Sequence, residues 1–381
     1  MLMKLVVVLS LMLTLQLTSL QAVYKYLGNY ADIASLVLLL AASTAYFAMM
    51  QPALGRRFLE PIGRGPRVVV LVLTAVIAVS LLLYPIADAL KEQMRGSDRD
   101  DAIIVGVYAL FSGENPYGKT TYFGNPLSPG PGLLLLYAPF VSLKLYALGA
   151  GSALGACAYL LKRLYGSWVV ASLFVVLVAS SLLFWQELAV GSDLIFVGSC
   201  YLAFVLLLQQ SGSRRVLFLC AVLCGAISTS RIVFLYMPLL FGVLLWPRSK
   251  GDAIKFLVTS TAVAIGLHTA FFLWGSDFYT PFHVIGTGEG LMTGNIIYFG
   301  IFLCLVAGGF ILRTAYLGPD SWVAGLFLSL VTPLFLVFVA TLIANGWQIG
   351  VGYAASYVTP AVPACCAYAA IRIRQGWLAG Q

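Results

Sequence analysis

Long apolar segments separated by short polar stretches run through the whole of this chain and restrict what it can fold into. A helix that crosses the hydrocarbon core of a bilayer needs about 20 predominantly apolar residues. Twelve segments approach or reach this length, at roughly 4–23, 31–51, 67–90, 145–162, 167–185, 193–210, 215–230, 233–246, 254–274, 295–313, 321–345 and 351–371. The pattern predicts an all-α, polytopic bundle of about 12 transmembrane helices that forms a single membrane-embedded domain over residues 1–381.

The composition favours the same class of protein. Of the 381 residues, 61% are hydrophobic and 9% are charged, whereas soluble globular domains carry about 25% charged residues. The seven cysteines fall inside apolar segments, so we expect buried thiols rather than a disulfide framework or a metal site. With two histidines, the chain offers little for a histidine-based metal centre or a catalytic triad.

The basic residues indicate an orientation in the membrane. If the N-terminus is cytoplasmic, 15 of the 22 Lys and Arg residues lie inside, and 11 of the 14 acidic residues lie outside or near the outer face. This is the asymmetry of the positive-inside rule. The inner set is Lys4, Arg56, Arg57, Arg64, Arg67, Lys162, Arg163, Arg214, Arg215, Arg248, Lys250, Lys255, Arg313, Arg372 and Arg374. We therefore expect a protein integral to the plasma (bacterial inner) membrane, with both termini cytoplasmic and residues 91–144 in an extracytoplasmic loop.

Three further features concern the partners, the first segment and a helix break. The net charge of +8 does not indicate nucleic acid, because the basic residues form small groups between apolar segments, and membrane lipids are the expected surroundings. The first segment is either a span or a signal peptide that ends near Ala22. The short segments on either side of Ser228–Arg231 fit a broken helix that lines a cavity.

Three aspartates in four positions, Asp98, Asp100 and Asp101, stand out in the outer loop of this acid-poor chain. Ser97 precedes them in the pattern of a capping box, so we expect a helix that continues to about Ser112. A second apolar stretch follows at 133–143. Both stretches are too short to span a bilayer, and we expect short extracytoplasmic surface helices.

Three roles are open to these aspartates. Acids in the first turn of a helix interact favourably with the helix dipole, by about 0.3–1 kcal/mol each. Clustered carboxylates also bind cations, so a divalent cation is one cofactor that the acidic cluster could hold. The third role is general base catalysis, because Asp98 and Asp101 are three residues apart on a helix, and neighbouring carboxylates oppose each other's ionisation. The spacing alone does not choose between the three.

A longer motif covers residues 97–140. An acid in the first large outer loop is followed by a short helix, then by "GENPY" (113–117) and "GNPLSPGPGLLLLYAPF" (124–140). This order resembles the membrane glycosyltransferases of the GT-C class, and it is most similar to the branch that uses polyprenyl-phosphate sugars, such as the family 87 mannosyltransferases. The two extra spans before the loop depart from the simplest pattern of that class.

The resemblance implies a GT-C-like fold and an inverting reaction. A sugar, mannose or another monosaccharide, passes from a polyprenyl-phosphate donor to a hydroxyl group of a lipid or glycan acceptor at the extracytoplasmic face. An acid of the first outer loop takes the proton of the acceptor, and on this chain that acid is Asp98, or Asp101 if the register is shifted. A positioned carboxylate of this kind contributes about 10²–10⁴-fold.

The same resemblance implies a cation near the leaving phosphate, which gathers negative charge. Arg231 fits this role, because a guanidinium between two short apolar segments needs a partner or a ligand; pairing with Glu187 or Asp193 is the alternative. Tyr117 could stack on a sugar or anchor the loop at the membrane surface. The full set of substrate-binding candidates is Arg99, Asp100, Tyr117, Lys119, Asn125, Glu187, Asp193, Arg231 and His283.

A membrane transporter or a lipid-linked sugar flippase is the alternative function. Transporters place charged or interrupted helices near the midplane of the bilayer. Here the charges collect in the loops, and most of the acids lie on the outer side. This distribution favours chemistry at the outer surface.

Overall fold

The computed structural model describes residues 2–93, 97–282, 319–344, 346–348 and 354–379. Within these ranges every regular element is a helix, and an isolated β-bridge joins Thr120 to Pro126. The longer helices are α1 (Leu2–Leu11), α2 (Thr18–Leu27), α3 (Ala31–Met49), α4 (Arg67–Ala89), α5 (Asp101–Phe111), α6 (Pro131–Ser142), α7 (Leu148–Tyr165), α8 (Trp168–Ala179), α9 (Leu182–Ala189), α10 (Leu194–Gln210), α11 (Arg214–Ser228), α12 (Met237–Leu245), α13 (Lys250–Trp274), α14 (Pro319–Ala344) and α15 (Val362–Leu378).

Short helical turns join these helices. Met12–Leu17 and Gly55–Leu59 are π-helical, and Pro52–Leu54 and Glu60–Gly63 are single α-helical turns. The 3₁₀-helical turns are Gly28–Tyr30, Leu90–Gln93, Pro116–Gly118, Ile232–Phe234, Ser276–Phe278 and Ala354–Ala361.

Four helical stretches of the described residues are long and apolar enough to cross a membrane, namely Met3–Met49, Arg67–Glu92, Lys250–Trp274 and Ser321–Ile343. The bent pair α8–α9 adds a fifth if it is one span. An all-α architecture with helices suited to a membrane is therefore confirmed. The number of about 12 spans is not confirmed, because predicted spans such as 193–210 and 233–246 correspond to shorter apolar helices. The predicted span 295–313 lies outside the described residues.

The first of these stretches is a helical hairpin. One leg runs through α1, the π-helical turn and α2, the chain turns at Gly28 with φ at +48°, and α3 packs back along the first leg. Gln16 Nε2 donates to Tyr46 OH at 2.5 Å, and Tyr24 OH donates to Asp32 Oδ1 at 2.6 Å near the turn. The predicted spans 4–23 and 31–51 coincide with the two legs.

Helix α10 lies in the middle of the bundle and packs against α7, α11, α14 and α15. Gly198 allows a close approach here, because a Cβ atom at this position would collide with the carbonyl oxygen of Pro360. On α15, Cys365 and Cys366 are buried free thiols, as the sequence predicted. Small residues at these interfaces allow backbones to approach closely, which is how helices associate where lipid replaces water.

Helices α8 and α9 are bent by 75° where they meet, at Ser180 and Ser181. Polar side chains of the first hairpin cover this break. Tyr46 OH lies 2.8 Å from Ser180 Oγ, and Ser19 Oγ lies 3.3 Å from Ser181 Oγ. Ser181 also caps α9 by accepting from Phe184 N. These contacts supply partners to the polar groups that a broken helix leaves inside an apolar bundle.

Helix α6 packs one face into the bundle and leaves Leu135, Pro139 and Ser142 exposed on the other. Leu133 and Leu134 are completely buried, and Tyr137 is nearly so. The segment predicted as a surface helix over 133–143 is therefore packed into the bundle through one face and exposed on the other. Helix α5 packs against α6 along one side, while its Tyr108 and Phe111 remain about half exposed.

Two glycines bring the start of α6 against the end of α11. A Cβ atom on Gly130 would collide with the carbonyl group of Thr229, and one on Gly132 would collide with that of Ala226. Gly132 N also donates to Thr229 Oγ1 at 2.8 Å. The "SPGPG" stretch thus provides a close backbone contact.

The polar side chains divide the bundle into two ends. We call one the acidic end; it comprises the ends of α4, α5, α9 and α10, and the acids in or next to these ends are Asp88, Asp98, Asp100, Asp101, Glu187 and Asp193. The other end joins the N-terminal and C-terminal parts of the chain. There Arg374 Nη1 lies 3.2 Å from Glu60 Oε1, and Trp377 Nε1 donates to Met49 O at 2.8 Å.

Candidate active site

The C-terminal end of α4 meets the start of α5, and polar side chains of both gather there. Lys91 Nζ lies 2.6 Å from Asp101 Oδ1 and 3.7 Å from Asp100 Oδ2, and it also pairs with Asp88. Tyr84 OH donates to Asp100 Oδ2 at 2.6 Å. We call these five residues the carboxylate cluster. Tyr84, Asp88 and Lys91 reach it together because residues at i, i+4 and i+7 share one face of a helix.

The carboxylate cluster has a geometry that could hold a metal ion. One ligand atom from each of Asp88, Asp100 and Asp101 lies within 4.8 Å of the others. Carboxylate oxygens are suitable ligands for Ca²⁺ and Mg²⁺. The ammonium group of Lys91 is close to all three carboxylates, so an ion at this place would have to displace it.

Asp100 is the most buried carboxylate of the cluster, with 1% of its surface exposed. Its Oδ1 atom is buried and has no hydrogen-bond partner among the described residues. Burial raises the pKa of Asp100 to about 7; the charge of Asp88 adds to this shift, and the hydrogen bond from Tyr84 and the charge of Lys91 oppose it. Asp100 therefore exchanges its proton near neutral pH.

Asp98 lies just before α5 and has different surroundings. Asn125 Nδ2 donates to Asp98 Oδ2 at 2.8 Å, and the hydroxyl group of Thr121 donates to the same oxygen. The other oxygen, Oδ1, has no hydrogen-bond partner within the described part of the chain, and the side chain is half-buried. A carboxylate that is fixed at one oxygen and open at the other is the arrangement that a general base needs.

The loop 120–126 holds both candidate bases. Its side chains bind Asp98, and Tyr122 N donates to Asp101 Oδ2 at 3.2 Å. The second oxygen of Asp101 is paired with Lys91. Both oxygens of Asp101 are therefore engaged, so this carboxylate is less open to a substrate than Asp98.

The aspartates do not cap α5. The helix begins at Asp101, and Asp100 is at the N-cap position without a side-chain hydrogen bond to the helix. Ser97 Oγ accepts from Arg99 N at 3.3 Å. The predicted capping box is therefore wrong. The prediction that Asp98 and Asp101 share a helix face is wrong too, because Asp98 precedes the helix and binds the loop.

A buried ion pair joins the start of α5 to α9. Arg99 Nη1 lies 2.8 Å from Glu187 Oε2, and Ser356 Oγ donates to Glu187 Oε1 at 2.7 Å. Only 1% of the Glu187 surface is exposed. The pair connects the candidate site with the 3₁₀ turn before α15, and the Glu187 side chain does not face solvent.

A second buried pair joins α10 to the break between α11 and α12. Arg231 Nη2 lies 3.0 Å from Asp193 Oδ1, and Arg231 Nη1 donates to Ser230 O at 2.7 Å. The predicted break is present, since the 3₁₀ turn Ile232–Phe234 separates the two helices. Pairing with Asp193 is the alternative that the sequence left open, and it occupies the guanidinium that we expected to face a phosphate.

The remaining predicted residues lie apart from the carboxylate cluster. Tyr117 is buried, and its hydroxyl group donates to Pro129 O at 3.1 Å, so it supports the loop. Lys119 is exposed and pairs with Glu114. The described contacts connect neither residue with the cluster. His283 lies outside the described residues.

Sequence reasoning missed the contribution of α4. Tyr84 and Asp88 lie at the end of the predicted span 67–90, and neither they nor Lys91 are among the site residues predicted from the sequence. Their spacing of four and three residues is a weak signal for a shared face. Thr121 also went unnoticed, because its bond to Asp98 depends on how the loop folds back.

The acidic end thus combines a carboxylate with one open oxygen, a buried carboxyl group with a raised pKa and two buried ion pairs. Such an arrangement can accept a proton from a hydroxyl group that is brought to Asp98. No protein-family model, curated protein or solved structure matches this chain.

Proposed function

We propose that this chain is an inverting glycosyltransferase of the GT-C type, which transfers a sugar from a polyprenyl-phosphate donor to a hydroxyl group of a lipid or glycan acceptor. The main support for the proposal comes from the hydrogen-bond partners of Asp98. Thr121 and Asn125 hold one of its oxygens, and the other is open. The motif over residues 97–140 is the second support.

In this reaction Asp98 is the general base. The hydroxyl oxygen of the acceptor forms a bond to the anomeric carbon of the sugar while the bond from that carbon to the phosphate oxygen breaks. The phosphate leaves with the electron pair, and the hydroxyl proton passes to Asp98. Attack from the side opposite the phosphate inverts the anomeric centre.

Lys91, Asp100 and Asp101 position the base in this proposal. Lys91 holds Asp101, and the loop that binds Asp101 through Tyr122 N also binds Asp98. A divalent cation bound by Asp88, Asp100 and Asp101 is the alternative occupant of the cluster. Sugar transfer measured with EDTA and with added Mg²⁺ distinguishes the two arrangements.

We place the acidic end on the extracytoplasmic side. The distribution of basic residues along the chain supports this orientation. A cysteine introduced at Glu114, which is exposed in the loop after α5, would then react with a membrane-impermeant maleimide added to intact cells. Protection of that cysteine until the cells are opened would refute the orientation.

The test of the function uses purified full-length protein with a panel of polyprenyl-phosphate sugars and a membrane lipid extract as the source of acceptors. We expect Asp98→Asn to lower the transfer rate by about 10²–10⁴-fold. Asp252→Asn is the matched control, because Asp252 is an acid in the first turn of α13, away from the acidic end. Equal rates for wild type and Asp98→Asn would remove Asp98 as the base.

A transporter or lipid-linked sugar flippase remains the second candidate, and one observation favours it. The break between α8 and α9 is surrounded by the buried polar side chains of Gln16, Ser19 and Tyr46. Interrupted helices of this kind line substrate sites in transporters. Movement of a labelled lipid-linked sugar across proteoliposomes, without transfer of the sugar, would support this function instead.

A further inference from the structure

A groove of about 260 Å³ opens at the side of the bundle, between α4, α5 and the segment that joins α6 to α7. Its walls include Leu81, Tyr84, Tyr108 and Lys144. Leu81 is 51% exposed and Tyr108 is 48% exposed. Helix α4 belongs to a stretch that is long and apolar enough to cross a membrane. The mouth of the groove therefore lies on a side of the bundle that a bilayer would cover.

Two tyrosines separate the groove from the candidate base Asp98. Tyr84 and Tyr146 both line the groove, and their ring centroids are 6.0 Å apart. Behind them, Tyr84 OH donates to Asp100 Oδ2 at 2.6 Å, and Tyr146 OH donates to Gly191 O at 2.7 Å. A ligand in the groove would therefore contact these tyrosines rather than Asp98. The groove is a site of its own, apart from the proposed reaction.

Ser80 supplies the groove with a hydroxyl group that has no protein partner. Ser80 lines the groove, 1% of its surface is exposed, and its Oγ atom has no hydrogen-bond partner in the described part of the chain. Serine hydroxyl groups in helices commonly bond to a carbonyl group one turn back, as Ser260 does with Phe256 O at 2.7 Å. Buried polar groups are nearly always hydrogen-bonded. The hydroxyl group of Ser80 is therefore available to an acceptor atom of a ligand.

Lys144 gives the groove a positive charge. The other described cations near the acidic carboxylates, Lys91, Arg99, Lys119 and Arg231, each pair with an acid. No acid partner of Lys144 is present among the described residues, its side chain is exposed, and none of the described residues that line the groove is acidic. A cation on the lipid-facing side of a helical bundle needs a countercharge. Basic pockets between membrane helices obtain it from anionic lipid head groups.

The backbone holds Lys144 in this place. Its φ is +57°, a left-handed conformation that residues other than glycine adopt infrequently. Lys144 N donates to Val141 O at 2.9 Å, and Leu145 N donates to Phe140 O at 2.7 Å. The end of α6 thus fixes the position from which Lys144 extends.

We propose that this groove binds one anionic phospholipid of the bilayer, of the phosphatidylglycerol type, as a resident lipid. The phosphate pairs with Lys144, a glycerol ester carbonyl oxygen accepts from Ser80 Oγ, and the first part of an acyl chain packs against Leu81 and Tyr108. The volume is slightly below the range of about 300–1,000 Å³ for sites that enclose a whole drug-sized ligand. The groove therefore holds the glycerol region, and the acyl chains extend into the bilayer through the mouth.

The lining of the groove selects this chemistry. The unpaired ammonium group of Lys144 favours an anionic head group, and no described acid of the lining is present to pair with the ammonium group of a zwitterionic one. The ester carbonyl groups of a phospholipid lie on the hydrocarbon side of its phosphate. Ser80 likewise lies one helical turn farther from the acidic end than Tyr84. A phosphate on a plain hydrocarbon chain has no acceptor to offer at that depth.

The first experiment measures binding of a short-chain phosphatidylglycerol to the full chain in detergent. We expect Lys144→Gln to weaken binding by about 10-fold, because a hydrogen bond to the charged phosphate is lost. Lys25→Gln is the matched control and should bind like wild type, since Lys25 is an exposed lysine at the turn of the first hairpin. Leu81→Trp should also weaken binding, because the indole fills the groove.

The second experiment tests the contact of Ser80 with the ester group. Ser80→Ala should weaken binding of phosphatidylglycerol by about 2–10-fold, the equivalent of a neutral hydrogen bond. A dialkyl ether analogue has no ester carbonyl group, so wild type and Ser80→Ala should bind it equally. Ser172→Ala is the matched control, because Ser172 Oγ is also buried without a partner among the described residues but does not line the groove.

Wild-type affinity of Lys144→Gln for phosphatidylglycerol would overturn the proposal. So would binding of phosphatidylcholine as tight as that of phosphatidylglycerol, or an equal loss in Ser80→Ala for the ester and ether lipids. Displacement of phosphatidylglycerol by an equal concentration of farnesyl phosphate would assign the groove to a single-chain lipid phosphate instead. None of these measurements depends on whether the chain transfers a sugar, so the resident lipid and the glycosyltransferase function stand or fall separately.

Discussion

Asp98 and Asp193 are both carboxylates at the acidic end, and their surroundings differ. Asp193 is buried, with 1% of its surface exposed, and it faces the guanidinium of Arg231 at 3.0 Å. Asp98 is half-buried, and neutral donors from Thr121 and Asn125 hold one of its oxygens. Asp193 is thus paired with a positive charge, whereas Asp98 is held by neutral hydrogen-bond donors.

The difference separates a structural role from a chemical one. A buried charge needs a countercharge, because removal from water costs several kcal/mol. The pair of Asp193 and Arg231 meets that need through Oδ1, and Oδ2 of Asp193 is buried without a hydrogen-bond partner among the described residues. Asp98 is more accessible, so neutral hydrogen bonds suffice and one oxygen stays open for a proton. Substitutions at the first site should therefore affect stability, and substitutions around the second should affect transfer.

The largest expected effect is on the buried pair. Arg231→Ala leaves Asp193 buried without its countercharge and should lower the free energy of unfolding by about 3–5 kcal/mol. Thermal unfolding in detergent measures this. The double variant Arg231→Met with Asp193→Leu should recover most of the loss, because no unpaired charge remains. A single variant as stable as the wild type would contradict the structural role.

The contact between Gly191 and Tyr84 should give the next largest effect. Gly191 has φ at +67°, and a Cβ atom there would lie 2.5 Å from Cε2 of the Tyr84 ring. Gly191→Ala should destabilise the protein by about 2–4 kcal/mol, from the left-handed backbone and from overpacking. Gly251→Ala is the control, because a Cβ atom at Gly251 meets nothing within 4 Å. Similar melting temperatures for the two variants would show that Tyr84 moves without cost.

Substitutions of Thr121 test whether the hydrogen bonds to Asp98 support catalysis. Thr121→Val removes the hydroxyl donor to Asp98 and should lower the transfer rate by about 10–100-fold, the equivalent of one hydrogen bond to a charged group. Thr121→Ser keeps the donor and should retain most of the rate. If both variants transfer at the same rate, this hydrogen bond does not orient the base.

Much of the fold follows from hydropathy, because a bilayer admits few alternatives to helices. The two legs of the first hairpin and the break near Arg231 lie where the apolar segments place them. The packing of one face of α6 into the bundle could not be predicted in this way. Lipid and the protein interior are both apolar, so the sequence of residues 133–143 is compatible with either environment.

The pairing of the charged side chains could not be predicted from the sequence either. Arg99 and Glu187 are 88 positions apart, and their pairing depends on how α5 and α9 pack. Ser97 had the spacing of a capping residue, but the hydrogen bond from Tyr84 to Asp100 and the loop contacts of Asp98 determine where the acids point. Local patterns identified the segment, and tertiary contacts assigned the roles of its residues.

Asp100 predicts a pH dependence of stability. Its pKa is about 7 in the folded chain and 3.8 in the unfolded reference, so the folded state holds the proton more strongly. The stability from this proton is complete below about pH 4 and is lost as the pH rises through 7. The melting temperature should fall by a few degrees between pH 5 and pH 8. Asp100→Asn should remove that slope, and an unchanged slope would assign it to another group.

The smallest effect is expected at Lys119, which the sequence suggested as a substrate-binding residue. Lys119 pairs with Glu114 where both side chains are about half exposed, and such pairs contribute about 0–1 kcal/mol. Lys119→Ala should therefore change the melting temperature by no more than a few degrees and should leave the transfer rate unchanged. A large loss of transfer in this variant would extend the site beyond the carboxylate cluster to the loop that follows α5. The exposed ion pair of Lys119 and Glu114 would then affect the transfer rate as much as Asp98 does. The distinction between Asp98 and the paired charges would no longer hold.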